Sequence, residues 1–215
     1  MSNDAAALIV LVLAACATAA WATGIAFTRR RLFAAPRDQF TEMPIRGVSG
    51  EVRVQQGPSV VRERMLECMR QAVIPGRMGC SVMVRRAEGD TIEGRLLYGA
   101  GGPGSAEGLP VTLRLSADGG GTRVTYEADT DPALRGLRIG AVIFHVVGLI
   151  AIPTLGYVLL NYAAPSSSPG ARGQVVQMIQ IVHVLWPPFL LGYLGGRLKA
   201  QTRVLLEGLA TSAGV

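Results

Sequence analysis

The stretch VTLRLSADGGGTRVTYEADTDP, residues Val111 to Pro132, decides the fold. Apolar and polar residues alternate on both sides of the turn Asp118-Gly-Gly-Gly121, as they do in two antiparallel strands with one buried face. The run then reaches Asp131-Pro132, a favoured helix cap followed by a favoured first-turn residue. The sequence therefore predicts a hairpin that leads directly into a helix.

Upstream of this hairpin, the same alternation predicts three more strands, over residues 48–54, 80–84 and 92–98. Between the first two, Ser59 is the predicted cap of a helix. Four apolar residues define one face of that helix: Val61, Met65, Cys68 and Ala72. Residues 48–131 are therefore predicted to form a small α+β domain of order β-α-β-β-β-β, an antiparallel sheet with one helix on its apolar face.

This order of strands and helix resembles the helix-grip domains of the START and Bet v 1 type. In those domains a curved sheet grips a long C-terminal helix around an apolar ligand cavity, and the resemblance implies such a cavity here. The resemblance covers Val48 to Asp131. The sequence departs from the pattern because it has fewer strands, and because the helix after the last strand runs on into a membrane-length apolar block.

Apolar residues make up 49% of the chain and concentrate in three blocks without a formal charge: Ala5 to Phe27, Ile139 to Ala163 and Val175 to Gly196. Each is long enough to cross ~30 Å of hydrocarbon at ~1.5 Å per helical residue. We expect an integral membrane protein with three transmembrane helices, over residues 5–28, 132–162 and 175–196.

The first block could instead belong to a lipoprotein signal, because Leu13-Ala-Ala-Cys16 resembles a lipoprotein cleavage box. No basic residue precedes the block, and the apolar run continues past Cys16 to Phe27. An uncleaved helix is the favoured interpretation.

Basic residues concentrate on one side of the blocks, whereas the other side carries only Arg172, and this difference orients the chain by the positive-inside rule. The N-terminus and the loop 163–174 are placed outside. The linker 29–47, the domain 48–131 and an amphipathic tail, 197–215, are placed in the cytoplasm. With one Lys among 21 basic residues, the composition suggests a bacterial inner (plasma) membrane protein. The residues expected to contact anionic lipid are Arg29, Arg30, Arg31, Arg135, Arg138, Arg197 and Lys199.

The net charge of +6 does not indicate a nucleic-acid partner. Twelve arginines and thirteen acidic residues lie between Leu32 and Leu134, so the basic excess sits beside the apolar blocks. A basic stripe with interleaved aromatic residues is absent from the sequence.

No residue type in the predicted domain points to catalysis. The histidines are His145 and His183, both in predicted spans and ~12 Å apart in depth, too far to share a metal. The cysteines show no C-x-x-C spacing. Gly99, Gly101 and Gly104 match a phosphate-loop spacing, but a strand is predicted after them where such a loop needs a helix. We therefore predict no catalytic, cofactor-binding or metal-binding residue, and a mobile contact loop at these glycines.

The predicted spans carry signs of helix packing. Small residues recur at four-residue spacing: Cys16, Ala20 and Gly24 in the first span, Gly192 and Gly196 in the third. Polar side chains also fall inside the spans: His145, Gln177, Gln180 and His183. With the break at Pro187-Pro188, these features favour the third span as a contact helix.

Three functions are compatible with this sequence. The first is a non-catalytic membrane-anchored protein whose cytosolic domain contacts a membrane-protein partner, or a second copy, as an assembly, scaffold or sensory subunit. The second is a membrane-tethered module that binds a lipid or another apolar ligand. An enzyme, the third, would need a partner to supply the missing residues.

Overall fold

A computed structural model of the chain describes residues 3–33, 47–70, 80–98, 108–158, 161 and 186–214. The chain divides into two compact units. The apolar unit comprises Met1–Ala34 and Leu137–Gly195, and the sheet unit comprises Ala35–Gly136 and Gly196–Val215. The elements in chain order are α1 (Asn3–Thr28, prolonged by a π-helical turn over Arg29–Phe33), β1 (Val48–Val54), α2 (Pro58–Arg70), β2 (Cys80–Glu88), β3 (Thr91–Tyr98), β4 (Leu109–Asp118), β5 (Gly121–Ala128), α3 (Asp131–Val158) and α4 (Pro187–Ser212).

The sheet unit is built on a five-stranded antiparallel sheet of order β1-β5-β4-β3-β2. The predicted α+β domain and its order β-α-β-β-β-β are confirmed. Pairing of β1 with β5 sets Val48 opposite Ala128, so the first and last strands of the domain are neighbours. The connections β2–β3, β3–β4 and β4–β5 join adjacent strands, as expected for glycine-bearing hairpins, whereas the connection through α2 joins the two edge strands β1 and β2.

One face of the sheet is apolar and buried. Alternate residues of the strands point into this core, as the period of two requires. Its largest buried strand side chains are Ile92, Leu96, Leu109, Leu113 and Val124.

Helix α2 packs on this face with a register slightly different from the prediction. Its buried residues are Val61, Met65 and Met69, whereas Cys68 is half-buried. The helix also begins earlier than Ser59, because the Gly57 carbonyl accepts a hydrogen bond from the Val61 N–H at 3.1 Å. Pro58 follows as the first helical residue, where its fixed φ and missing N–H are tolerated.

Residues 197–215 were predicted to form an amphipathic tail, and here the structure differs most from the prediction. Residues 197–212 continue a helix that begins at Pro187, and Gly196–Val215 belongs to the sheet unit. Five apolar side chains of this part are at most 2% exposed: Leu205, Leu206, Leu209, Ala210 and Ala213. Because burial of one leucine stabilises a fold by about 1.5–3 kcal/mol, this segment is part of the core.

Helix α3 starts one residue before the predicted start. The Thr130 carbonyl accepts a hydrogen bond from the Leu134 N–H at 3.0 Å, and the Asp129 carboxylate accepts one from the Asp131 N–H at 2.9 Å. Only Asp129 and Thr130 separate β5 from this helix. The predicted direct passage from the last strand into a long helix is therefore present.

Two segments of the described chain are helical, long and apolar enough to cross a membrane, Leu11–Phe33 with 23 residues and Asp131–Val158 with 28. The linker predicted from Arg29 begins later, since the helix extends to Phe33. The external loop 163–174 and residues 175–185 of the third predicted span lie outside the described residues. The third span therefore stays a prediction.

Candidate functional site

A polar contact links the sheet to α4 inside the sheet unit. Tyr126 is 2% exposed, and its hydroxyl donates a hydrogen bond to Oε1 of Glu207 at 2.8 Å. Burial, together with this hydrogen bond and the charge of Glu207, raises the pKa of Tyr126 above its usual value, and Arg203 offsets part of the rise. Tyr126 therefore stays protonated and acts as a donor at physiological pH.

Space for the Tyr126 ring comes from the neighbouring strand. Gly50 lies opposite Tyr126 on β1, and a Cβ at this glycine would collide with the Tyr126 hydroxyl and ring. On the other side, Tyr126 pairs with Leu113 of β4. A glycine in a strand interior is a common sign of such a close approach.

A second polar contact holds the end of the chain on the sheet unit. The Gln56 side-chain amide donates to the Gly214 carbonyl at 3.2 Å, and the Gln56 carbonyl accepts from the Thr122 hydroxyl at 2.5 Å. Gly214 also lies against the Val54 side chain with no room for a Cβ. Together with Tyr126, these contacts fix the C-terminal part of α4 on the apolar face of the sheet.

These polar groups are suited to holding structure more than to catalysis. A phenol with a raised pKa is a poor general base and a poor nucleophile at neutral pH. Among the described residues, no group of three or more His, Cys, Asp or Glu could hold a metal ion. Tyr126 and Glu207 therefore form a structural hydrogen bond that joins β5 to α4.

The opposite face of the sheet is polar. Its side chains lie in rows that cross the strands and carry charges of both signs, for example in the row Glu51, Thr125, Arg114, Thr91 and Glu88. At the β4–β5 turn, Arg123 donates to Asp118 at 2.9 Å, and this hydrogen bond and charge lower the pKa of Asp118. A sheet with one apolar and one polar face is typical of antiparallel domains that present one side to water or a partner.

The small residues predicted for helix packing are distributed as follows. Gly24 of α1 faces Phe189, and a Cβ built on Gly192 of α4 would lie 2.8 Å from the ring of Phe27. The Thr28 hydroxyl lies 2.7 Å from the Gly24 carbonyl oxygen and 2.9 Å from the Pro188 carbonyl oxygen and shares its one proton between them, so α1 and the first turn of α4 are in contact within the apolar unit. Cys16 is exposed, Ala20 is half-buried, and Gly196 is a half-buried residue of the sheet unit.

Of the polar residues predicted inside the spans, the structure describes His145. It is half-buried in α3, and its Nε2 atom is buried without a hydrogen-bond partner. Gln177, Gln180 and His183 lie outside the described residues. The predicted depth difference between the two histidines therefore stays a prediction.

The residues predicted to contact anionic lipid fall in both units. Arg29, Arg30 and Arg31 are exposed on the π-helical turn, and Nε of Arg138 donates to the Leu32 carbonyl at 2.8 Å, all within the apolar unit. In the sheet unit, Arg135 and Arg197 are exposed and Lys199 is half-buried.

The glycine-rich segment joins two paired strands. Residues 99–107 lie outside the described residues, but β3 ends at Tyr98, β4 begins at Leu109, and the two strands are antiparallel neighbours. Gly108, just before β4, has a φ of 65°. A phosphate loop would lead from a strand into a helix, so this connection lacks the required geometry.

The sequence interpretation missed the contact between Tyr126 and Glu207. One signal was available, because Glu207 is the only acidic residue after Asp131 and stands among apolar residues. A single carboxylate beside Leu205, Leu206 and Leu209 indicates a specific partner, since unpaired charges are rarely placed near a core.

No family model matches the chain, and neither a curated protein nor a solved structure matches it.

Proposed function

We propose that this protein is a non-catalytic, membrane-anchored protein whose α+β domain contacts a partner as an assembly, scaffold or sensory subunit of a membrane complex. The observation that carries this proposal is the occupation of the apolar face of the sheet by α2 and by the C-terminal part of α4. Because Leu206 and Leu209 are fully buried on that side, the chain's own side chains fill the described core. The polar face of the sheet is then the larger surface left for a partner.

This polar face offers a distinctive pattern for protein contact. In one row across the five strands, Arg114 is exposed near the centre and Glu51 and Glu88 are exposed at the two edges. A fixed arrangement of both charge signs favours a partner of complementary charge and disfavours a docking position that brings like charges together. The partner is expected to be another membrane protein or a second copy of this chain.

The proposed setting is a bacterial inner membrane crossed by three helices, with the N-terminus outside and the domain in the cytoplasm. The support is the pair of membrane-length helices and the position of the arginine-rich turn Arg29–Phe33 at the end of the first of them. Arginines collect on the cytoplasmic side of membrane helices.

Site-specific photocrosslinking tests the contact. A photoreactive amino acid in place of Arg114 is expected to capture a protein partner in cells, and the same residue in place of Arg64 on α2 is the control for an exposed position elsewhere. Arg114→Glu is expected to remove the partner from the purified protein, whereas Arg64→Glu retains it. Capture at both positions equally, or capture of lipid alone, would contradict the proposal.

A membrane-tethered lipid or apolar-ligand module of the START and Bet v 1 type is the alternative. It gains support from the sheet unit, because a long C-terminal helix held against the apolar face of an antiparallel sheet is the arrangement that the resemblance implies. The gripping helix would be α4, which follows the apolar block, and not α3. Mass spectrometry of lipids that copurify with the protein distinguishes ligand binding from partner contact. Leu113→Trp is the variant expected to expel a ligand from the core.

A further inference from the structure

Among the described residues of the apolar unit, two buried ring nitrogens have no hydrogen-bond partner. They are Nε1 of Trp21 on α1 and Nε2 of His145 on α3. A Cβ built on Gly148 of α3 would collide with the Trp21 nitrogen, so the indole lies directly against this helix. His145 stands three residues before Gly148 and therefore on the same side of α3. We call this surface of Trp21, His145 and Gly148 the indole face.

The indole face requires a polar neighbour. An indole nitrogen is always a donor, and each nitrogen of a neutral imidazole is either a donor or an acceptor. Leaving such a group buried and unpaired costs about 1–3 kcal/mol. Lipid tails offer no hydrogen-bonding group, so polar groups at membrane depth are satisfied by protein. A protein segment with free acceptors is therefore the expected cover for Trp21.

The start of α4 packs on α1 in a defined direction. Phe189 of α4 lies against Gly24 of α1, and Gly192 lies against Phe27. From the first contact to the second, each helix advances by three residues. The two helices therefore run in the same direction, and residues that precede this contact on α1 correspond to residues that precede it on α4.

Chain connectivity then brings the preceding segment to the indole face. Trp21 is three residues before Gly24, and Trp186 is three residues before Phe189, so Trp21 and Trp186 are at the same level along the helices. Trp186 is the residue at which the described chain resumes before α4. Even a fully extended chain spans at most ~3.6 Å per residue, so residues 183–185 lie within ~11 Å of Trp186.

This segment carries two backbone carbonyls that a helix cannot satisfy. Two consecutive prolines, Pro187 and Pro188, begin α4. Because proline has no N–H, the carbonyls four residues earlier, those of His183 and Val184, receive no helical donor. The Pro188 carbonyl already accepts from a side chain of α1, the Thr28 hydroxyl at 2.9 Å. The chain before α4 thus offers the acceptors that the Trp21 N–H lacks.

We propose that residues 175–185, the part of the third predicted span before Trp186, pack on the indole face, and that the Trp21 N–H donates to the carbonyl of His183 or Val184. This segment is favoured over a second copy of the chain. It is tethered at Trp186 with an effective concentration on the order of 1 mM, which a separate chain does not reach. The proposal goes beyond the proposed function, because it applies whichever partner the polar face of the sheet binds.

Disulfide crosslinking of the full chain in native membranes tests the packing. In a background without the three native cysteines, Ala17→Cys is the probe, because Ala17 is half-buried one turn before Trp21 on the same side of α1. Ala15→Cys, at an exposed position on the other side of α1, is the matched control. The second cysteine is placed in turn at four successive positions, which cover one helical turn: Ile181→Cys, Val182→Cys, His183→Cys and Val184→Cys.

With Ala17→Cys, at least one of the four positions is expected to form a disulfide within one chain, which peptide mass spectrometry of the monomer identifies. With Ala15→Cys, none is expected. No disulfide at any of the four positions, or equal yields for Ala17→Cys and Ala15→Cys, would overturn the packing. A disulfide that joins two chains, seen at twice the mass on a non-reducing gel, would show that a second copy covers the face and would also overturn it.

A double-mutant cycle tests the hydrogen bond separately from the packing. Trp21→Phe removes the indole N–H together with part of the ring volume. Pro187→Ala combined with Pro188→Ala restores helical donors to the two free carbonyls. The loss of melting temperature caused by Trp21→Phe should be smaller by about 2–4 °C in the alanine background, because that background no longer needs the indole donor.

The lost ring volume contributes equally in both backgrounds, so the difference isolates the hydrogen bond. An equal loss in the two backgrounds, measured by thermal unfolding of the full chain in detergent, would refute the donation from Trp21 to these carbonyls. If the alanine background does not fold, the crosslinking yields still decide whether residues 175–185 pack on the indole face.

Discussion

At the scale of single residues, the sheet unit depends on a tyrosine hydroxyl that is buried and paired. A buried polar group without a partner costs about 1–3 kcal/mol, so Tyr126 requires Glu207 and the space that Gly50 leaves. These three residues come from β5, α4 and β1. A contact that joins positions so distant in sequence specifies how α4 is placed on the sheet.

Removing the hydroxyl should destabilise the protein. Tyr126→Phe leaves the Glu207 carboxylate without its donor, and we expect the free energy of unfolding to fall by about 1–2 kcal/mol at neutral pH. Denaturant unfolding of the full chain in detergent measures the change. Tyr193→Phe is the matched control, because that ring is 56% exposed, and an equal loss in both variants would contradict the assigned role.

The same hydroxyl predicts a pH dependence. The pKa of Tyr126 is raised above 10.0 in the folded protein, so its contribution is complete below pH 10 and is lost as the pH rises through the raised pKa. Above pH 10 the wild type should lose about 1.4 kcal/mol per pH unit from this group, whereas Tyr126→Phe lacks this slope. Parallel stability curves for the two proteins above pH 10 would show that Tyr126 ionises as freely in the folded state as in the unfolded state.

At the scale of elements, strands were easier to predict than the last helix. The alternation in residues 111–128 sets both the strands and the buried face, because the side-chain period of a strand is two. Residues 197–212 also have helical periodicity, with Leu198, Leu205 and Leu209 on one side. Their burial could not be predicted, because an amphipathic helix beside a membrane can lie on lipid or on protein, and only the sheet decides between them.

The burial of α4 predicts unequal effects of two truncations. Leu209→Ala removes a completely buried side chain and should cost about 2–5 kcal/mol. Val204→Ala, at a side chain that is 49% exposed on the same helix, should cost less than about 0.5 kcal/mol. Thermal unfolding followed by circular dichroism measures both. Similar small losses would mean that residues 197–212 are not part of the core.

The contact between α1 and α4 predicts a similar contrast for two helical glycines. A Cβ at Gly192 would lie 2.8 Å from the Phe27 ring, whereas a Cβ at Gly156 of α3 meets nothing within 4 Å. Gly192→Ala should therefore destabilise the detergent-solubilised protein by about 1–3 kcal/mol through overpacking. Gly156→Ala is expected to be neutral or slightly stabilising, since alanine favours a helix. Equal melting temperatures for both variants would contradict the close approach at Gly192.

At the scale of the whole molecule, the described structure combines a sheet unit with two helices of membrane length. The residue pattern predicted a sheet domain together with apolar helices, because charge-free apolar runs and alternating runs occupy separate parts of the sequence, and the third predicted span stays a prediction. The polar face of the sheet was not predictable. The side chains of the polar sheet face share no local motif, and antiparallel pairing of all five strands is what brings them together.

Cysteine labelling tests the orientation of the chain. In a background where Cys16, Cys68 and Cys80 are replaced, Ser167→Cys should react with a membrane-impermeant maleimide in intact cells, because it lies in the predicted external loop. Asp118→Cys should react only after permeabilisation, because the β4–β5 turn belongs to the sheet unit that follows the arginine-rich end of α1.

Arg64→Cys, on an exposed position of α2, serves as a second probe of the sheet unit that leaves the Asp118 ion pairs intact. Both sheet-unit probes must behave alike, since one compact unit cannot lie on two sides of a membrane. Labelling of Arg64→Cys and Asp118→Cys in intact cells, with protection of Ser167→Cys, would invert the topology and return the Cys16 lipoprotein box to consideration. Labelling of all three positions in intact cells would exclude a cytoplasmic domain, and with it the cytoplasmic partner proposed for the polar face of the sheet.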